Sequence, residues 1–310
     1  MPHHLPAPLR NPLRVALVGV LALILGFTGV PAAQAADYSW TVQKLSVAGS
    51  STGISGSRVV GYSDNGGWYY DLANPSAGVR VLPGPSAIAQ SHAAAVDGRW
   101  AVGSTDTNEL GSEPAAWDLS SPSLTHVRLA GPAGSRAWPK TVSGNRAAGY
   151  TNDEATVWDL TSGRATSLHT AVGARAGDSS EITDMEGSVV VGTIWRASGL
   201  GTFAYDLDAR RLLFQDDSLD VYFATMMISN GWILRQISDD PAPGRPDLLR
   251  NLATGATIDP ATFLPPGKEA YETAMAGGKV IVRIAEDDAT FTYDPASGVR
   301  DNWNLATAGD

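Results

Sequence analysis

The sequence has no cysteine, few histidines and no extended segment of helical periodicity, and each absence excludes a class of protein. Without cysteine, the 310-residue chain forms no disulfides and no cysteine-ligated zinc site. Beyond residue 35 the only histidines are His92, His126 and His169, whose separations do not match those of zinc ligands. No segment keeps a 3.6-residue apolar period over three turns, so we expect little helix. The fold must therefore be stabilised by a large core or by repetition.

The first 35 residues are predicted to be a secretory signal peptide. Arg10 and Arg14 precede an apolar run over residues 15–30, and Ala33-Gln34-Ala35 is the small-x-small pattern that signal peptidase cleaves. A membrane anchor is the alternative, but it needs about 20 apolar residues and is not usually followed by a cleavage site. We therefore expect cleavage before Ala36 and secretion of residues 36–310 as a single extracellular domain.

Acidic residues outnumber basic ones by 32 to 22. The first 35 residues hold two of the basic residues and none of the acidic ones, which leaves residues 36–310 with a formal net charge of −12. Such a surface repels phosphate backbones and anionic membranes. We therefore expect no nucleic-acid partner and no membrane partner, and we predict a monomer.

Two short motifs recur along residues 42–305. The first is a glycine, any residue, three mostly apolar residues and usually a second glycine, as from Gly56 to Gly61. Its leading glycines are 42 to 47 residues apart: Gly56, Gly98, Gly144, Gly187, Gly231 and Gly278. The second is an aromatic residue followed by Asp and Leu, with weaker last copies: it begins at Tyr70, Trp117, Trp158, Tyr205, Arg250 and Tyr293. Two motifs that stay in phase over six copies identify a repeat protein.

Each unit offers about four short β-rich segments bounded by turn residues, which is the size of one propeller blade. The sequence therefore predicts an all-β fold, a six-bladed β-propeller. Residues 38–47 and residues 298–305 both resemble a fourth strand, and they cannot fill the same place in a six-bladed ring. A propeller with a seventh blade is therefore an alternative. A two-sheet sandwich is the weaker alternative, since it does not require a fixed period.

The aromatic-Asp-Leu motif has a structural interpretation. We expect its aromatic ring and Leu to pack between blades, while its Asp accepts backbone hydrogen bonds in the following turn. Together with the apolar-Val-Gly motif, it resembles the extracellular bacterial repeats named after His-Ala-Phe, most clearly over residues 48–215. That resemblance implies a secreted β-propeller and indicates no particular activity.

Carboxylates recur in the predicted loop between the second and third strands of five units. If these loops meet on one face of a propeller, they form an acidic rim that could bind a divalent cation such as calcium or a basic ligand. The alternative is that these carboxylates only keep the hairpin tips solvated and bind no ligand. The candidate cation ligands are Asp64, Asp106, Asp153, Asp240 and Asp287.

A second candidate site comes from the predicted innermost strands. The residues six positions before each leading glycine vary in type, as expected for side chains that face a channel: Ser50, His92, Trp138, Glu181, Thr225 and Glu272. We expect His92, Trp138, Glu181 and Glu272 to bind a sugar or peptide, with Trp138 as a stacking surface. An error of one residue in the strand register would move this set to the other face of the sheet.

These patterns favour a secreted binding module for an extracellular polymer, either a carbohydrate or a protein. The alternative is a secreted hydrolase or lyase whose carboxylates lie at the central mouth of the propeller and act as acid and base. The sequence assigns no catalytic residue. Apart from a divalent cation at the acidic rim, it suggests no cofactor.

Overall fold

The computed structural model describes residues 49–86, 90–107, 111–131, 136–219, 221, 223–238, 245–268, 270–284 and 289–303. They form six antiparallel sheets, each of four strands that are consecutive in the chain. Each sheet is one blade of a β-propeller, as the sequence predicts. Within the described residues, no helix is long and apolar enough to cross a membrane.

In each blade the strands lie side by side in chain order. Those of blades 1 to 3 are β1 Ser50–Ser55, β2 Arg58–Ser63, β3 Gly66–Asp71, β4 Arg80–Val81, β5 Gln90–Asp97, β6 Trp100–Thr107, β7 Gly111–Asp118, β8 Thr125–Arg128, β9 Ala137–Ser143, β10 Arg146–Thr151, β11 Glu154–Asp159 and β12 Ala165–Ser167. Those of blades 4 to 6 are β13 Ser179–Glu186, β14 Val189–Arg196, β15 Gly199–Asp206, β16 Arg211–Leu219, β17 Phe223–Ser229, β18 Trp232–Ser238, β19 Arg245–Asn251, β20 Thr257–Ile258, β21 Ala270–Ala276, β22 Lys279–Ile284, β23 Thr290–Asp294 and β24 Val299–Trp303. Short 3₁₀ helices occupy Pro75–Ala77 and Pro260–Thr262.

The six blades are arranged in a ring. The first strands of successive blades contact one another from blade 1 to blade 6, so these strands line the centre and the fourth strands lie at the circumference. Of the two segments that resemble a fourth strand in sequence, the C-terminal one contains β24, the outer strand of blade 6. Residues 38–47 lie outside the described residues. The six-bladed prediction is confirmed.

The leading glycines begin the two-residue turns between first and second strands. In blade 1, Ser55 pairs with Arg58 across a turn that starts at Gly56. The same turn starts at Asn230 in blade 5 and at Gly277 in blade 6, one residue before the glycines that the sequence pattern selects. Asn230 adopts a φ of +51°, a conformation that Asn tolerates better than most residues, and it therefore replaces glycine there. The last two copies of the repeat are thus displaced by one residue.

The second glycine of the motif lies beside a bulge in the inner strand. In blade 2 the pairing of β5 with β6 skips Ala94, and an added side chain at Gly103 would have its Cβ 1.9 Å from the His92 carbonyl oxygen. Blades 1, 3 and 4 repeat this arrangement. Only a residue without Cβ fits such an approach. In blade 5, β17 pairs with β18 without a bulge, and the equivalent position is Arg235.

The aromatic-Asp-Leu motif has its expected structural role. The buried Trp117 packs against blade 1 residues Val60 and Tyr69, and its Nε1 donates to the Pro83 carbonyl in the connection between blades 1 and 2. The Asp of the motif, or the Asn that replaces it in blade 5, accepts a backbone N–H two residues on in all six blades: Asp71, Asp118, Asp159, Asp206, Asn251 and Asp294. The motif therefore packs neighbouring blades together and closes the third turn of each.

Two carboxylates each join three blades near the centre. Asp97 of blade 2 accepts from the Ser55 hydroxyl of blade 1 at 3.2 Å and from the Gly144 N–H of blade 3 at 2.8 Å. Asp184 of blade 4 accepts from the Thr141 hydroxyl of blade 3 and from the Ile228 N–H of blade 5. The inner ring is therefore joined by polar contacts as well as by apolar packing.

Candidate functional site

The sequence-predicted ligand residues lie at one end of the central ring. Ser50, His92, Trp138 and Glu181 are at or near the beginning of the first strands in blades 1 to 4. The turns between second and third strands are at this same end, because those two strands run antiparallel and meet there. We call this end the mouth face of the propeller.

Three rings from three blades form a continuous row on the mouth face. The His92 ring centroid lies 5.8 Å from that of Tyr62 in blade 1 and 6.3 Å from that of Trp138 in blade 3. The rings are tilted by 54° and 37°, so they form a curved wall rather than a stack. Tyr62 is 42% exposed, and His92 and Trp138 are half-buried. The row therefore presents aromatic surface to solvent.

An ion pair continues this row into blade 4. Lys140 Nζ donates to Glu181 Oε2 at 2.5 Å and lies 5.5 Å from the centroid of the Tyr150 ring. Tyr150 pairs in register with Trp138, which brings the ion pair next to the row of rings. Burial raises the pKa of the Tyr150 hydroxyl, so it remains protonated and can donate a hydrogen bond. We call Tyr62, His92, Trp138, Lys140, Tyr150 and Glu181 the mouth site.

Sequence reasoning missed Tyr62, Lys140 and Tyr150. Lys140 is the residue that the β9–β10 pairing skips, so a count along regular strands does not place it at the site. Tyr62 and Tyr150 each follow the second glycine of the motif. That shared position next to Gly61 and Gly149 is the signal that could have found them.

In blades 5 and 6 the shift of the turn by one residue does not move the predicted site positions. Thr225 pairs with Gln236 as His92 pairs with Ser104, each opposite the residue six positions after the start of the turn, because β17 lacks the bulge that β5 has. Glu272 pairs with Arg283 as Glu181 pairs with Thr193, so it keeps the same cross-strand position in blade 6. The side chain of Glu272 lies outside what the structure describes. The structure therefore brings together His92, Trp138 and Glu181, and the place of Glu272 in the site stays a prediction.

Two members of the acidic rim are described in full. Asp64 and Asp153 are exposed in the turns of blades 1 and 3 on the mouth face. The Asp106 side chain, and all of Asp240 and Asp287, lie outside the described residues. Among the residues that are described, no three His, Cys, Asp or Glu side chains are placed to hold a metal ion. Cation binding by the rim stays a prediction.

The carboxylates with clearly shifted pKa values lie away from the mouth site. The Ser162 backbone N–H lowers the pKa of Asp159, and the Ala209 N–H lowers that of Asp206. The pKa values of Asp71 and Asp118, in the equivalent turns, are lowered as well. Burial opposes the lowering of the pKa at Asp71 and Asp118, and hydrogen bonds from Ser57 to Asp71 and from Ser120 to Asp118 outweigh it, which points to structural roles.

The most buried charged side chain described belongs to Arg235, which is 7% exposed. Its guanidinium donates to Asp247 in its own blade at 2.7 and 2.8 Å and to Asp216 of blade 4 at 2.7 Å. Its position is the one that glycine occupies in blades 1 to 4, so this ion pair links two blades where the bulge is absent. The sequence pattern missed Arg235 because it starts the blade 5 repeat one residue too late.

The fold is also found among solved structures. No protein-family model and no curated protein matches the chain. A chain of the crystal structure of the mitotic checkpoint complex aligns at 12% identity over 79% of this chain and 73% of that one, with a TM-score of 0.51. The similarity is one of fold.

Two further matches have TM-scores under 0.5. The β-propeller domain of Cps50 (Swd1) from Myceliophteria thermophila aligns at 14% identity over 79% of this chain and 82% of that one, with a TM-score of 0.45. An oligogalacturonate lyase in complex with manganese aligns at 9% identity over 66% of this chain and 61% of its own length, with a TM-score of 0.48. The resemblance to His-Ala-Phe repeats therefore stays a prediction from the motifs.

Proposed function

We propose that the protein is secreted and acts as a binding module for an extracellular polymer, a carbohydrate or a protein, at the mouth site. The observation that carries this proposal is the row of Tyr62, His92 and Trp138. These three rings come from three different blades and stay partly exposed. Large aromatic side chains are normally buried in a core, and grouped on the mouth face they offer apolar contact area together with polar edges.

The ion pair of the mouth site supports a binding role. A hydrolase or lyase at the mouth needs two carboxylates whose environments separate their pKa values. The Glu181 carboxylate forms an ion pair with Lys140, and the side chain of Glu272, the second carboxylate of the enzyme alternative, lies outside the described residues. An ion pair next to exposed aromatic rings suits recognition of a ligand, because it provides a hydrogen-bond donor and an acceptor side by side.

Secretion is tested by expressing the full chain and recovering the protein from the culture medium. The expected intact mass is that of residues 36–310. A mass that includes residues 1–35, or protein retained with the cells, would contradict cleavage and release.

Ligand binding is tested by thermal shift with extracellular polysaccharides and cell-surface proteins. A ligand at 100 times its Kd stabilises the fold by about 2.7 kcal/mol. The shift should disappear in Trp138→Ala and persist in Leu212→Ala, because Leu212 is an exposed apolar residue of the outer strand β16. If a ligand shifts the wild type and Trp138→Ala equally, its site lies elsewhere. If no ligand shifts the wild type, the proposal fails for these polymers.

A further inference from the structure

The chemistry of the mouth site narrows the choice between the two classes of polymer. The ammonium group of Lys140 can only donate hydrogen bonds, and the carboxylate of Glu181 can only accept them. The two groups are 2.5 Å apart, with side chains that are 32% and 12% exposed, so one ligand can reach both. The ligand group that fits must therefore accept one hydrogen bond and donate another over a short distance.

A pair of neighbouring hydroxyl groups has this property, since each hydroxyl both donates and accepts. One hydroxyl can accept from Lys140 while the next donates to Glu181, and the ion pair stays intact. A charged ligand would have to compete with one member of the pair and would be repelled by the other. The charge of the pair therefore selects against anions and cations alike.

The surroundings of the ion pair point to the same ligand class. Tyr150 lies under the Lys140 ammonium group, and Trp138 is its register partner, so an apolar face adjoins the polar pair. A sugar ring combines a rim of hydroxyls with apolar C–H faces that pack on an aromatic ring. Asp64 and Asp153 are exposed on the same face and add repulsion toward anionic polymers.

We infer that the mouth site binds a neutral polysaccharide. Vicinal hydroxyls of one sugar unit contact the Lys140–Glu181 pair, and its ring packs against Trp138. This inference rests on the proposed binding function and goes further, because it names an uncharged carbohydrate as the main partner.

The test compares polymers that differ in charge. Affinity electrophoresis and titration calorimetry on the secreted protein would use dextran, laminarin and neutral xylan oligosaccharides, with alginate as the anionic probe and chitosan oligosaccharide as the cationic probe. We expect one of the neutral probes to bind, and to bind at least about tenfold more tightly than either charged probe.

Variants assign that binding to the mouth site. Lys140→Met and Glu181→Gln should each weaken the neutral probe by about tenfold, and Trp138→Ala by a similar factor that Trp138→Phe partly restores. Glu113→Gln is the matched control, because Glu113 forms an exposed ion pair with Arg128 in blade 2. It should leave affinity unchanged.

The outcomes separate the two proposals. Binding of alginate or chitosan that is lost in Trp138→Ala would overturn the neutral-polysaccharide inference and leave the binding site in place. If a protein ligand binds and Trp138→Ala abolishes that binding, the neutral-polysaccharide inference is also overturned and the binding site stays in place. Binding of any probe that none of the mouth-site variants weakens would overturn both.

Discussion

The carbonyl oxygen of His92 occupies the space that a side chain on Gly103 would need. The inner strand bulges at Ala94, so the carbonyl turns toward the neighbouring strand and leaves room only for a hydrogen atom. The same close approach recurs in blades 1, 3 and 4. The repeated glycine and the placement of the candidate ligand residues therefore have one cause. The bulge that requires the glycine also sets where the inner strand starts.

Replacing Gly103 by alanine should therefore destabilise the propeller more than replacing Gly98. The Cβ of Gly103→Ala would lie 1.9 Å from backbone, which forces the strands apart and costs about 3 kcal/mol. At Gly98 the φ is +53° with open space around the added Cβ, so Gly98→Ala costs only the left-handed backbone conformation, about 1 kcal/mol. Urea unfolding followed by tryptophan fluorescence checks the order. Equal losses would contradict the bulge account.

Much of the fold could be predicted from the sequence because the repeat marks its turns. Glycine at the start of each second strand and Asp at the end of each third strand fix where strands stop, and a period near 44 residues then gives one blade per unit. The copies at Asn230 and Gly277 were misplaced by one residue because an adjacent glycine follows each of them. The motif alone does not show which of two adjacent residues begins the turn, because that depends on strand pairing.

The candidate site was predicted in part, for a related reason. His92, Trp138 and Glu181 lie in blades whose repeats are regular, and the structure brings them together. Lys140 occupies a bulge, where one extra residue breaks the alternation of side chains on which strand counting depends. Arg235 stands where blades 1 to 4 have glycine, and the sequence motif, counted from Gly231, assigns this position to Gln236 instead.

The ion pair of Arg235 with Asp247 should stabilise the junction of blades 4 and 5. Asp247→Ala leaves a guanidinium that is 7% exposed with Asp216 as its remaining charged partner, and the loss should be about 3 kcal/mol. The control is Glu113→Ala, which breaks the exposed pair with Arg128 and should cost less than about 1 kcal/mol. Calorimetric melting of both variants provides the measurement. Similar melting temperatures would show that burial does not strengthen the Arg235 pair.

The Asp of the repeated turn should act through its acceptor oxygen, and its effect should depend on pH. Asn251 makes the same backbone contacts with an amide oxygen, so Asp159→Asn should keep the turn, while Asp159→Ala should lower the melting temperature at neutral pH. The folded pKa of Asp159 is lowered, so the carboxylate stabilises the fold above its unfolded pKa, and this contribution is lost as the pH falls toward 3. The gap between wild type and Asp159→Ala should therefore narrow in acid. A gap that stays constant from pH 7 to pH 3 would exclude the carboxylate as its source.

His126 should make the propeller less stable as the pH falls below neutrality. Its ring lies 6.2 Å from that of Trp117, and its buried Nε2 has no hydrogen-bond partner among the described residues. Burial lowers its pKa, with Glu113 opposing the shift and Arg128 adding to it. The neutral ring is thus favoured in the folded state, so stability is fully present above the unfolded pKa near 6.5 and declines as the pH falls toward the lower folded value.

The variant His126→Gln removes this titration. The melting temperature of the wild type should fall more steeply between pH 7.5 and pH 5 than that of the variant, even where the variant is less stable overall. Parallel pH profiles for the wild type and His126→Gln would show that protonation of His126 is accommodated without cost, and would place the acid sensitivity in other groups.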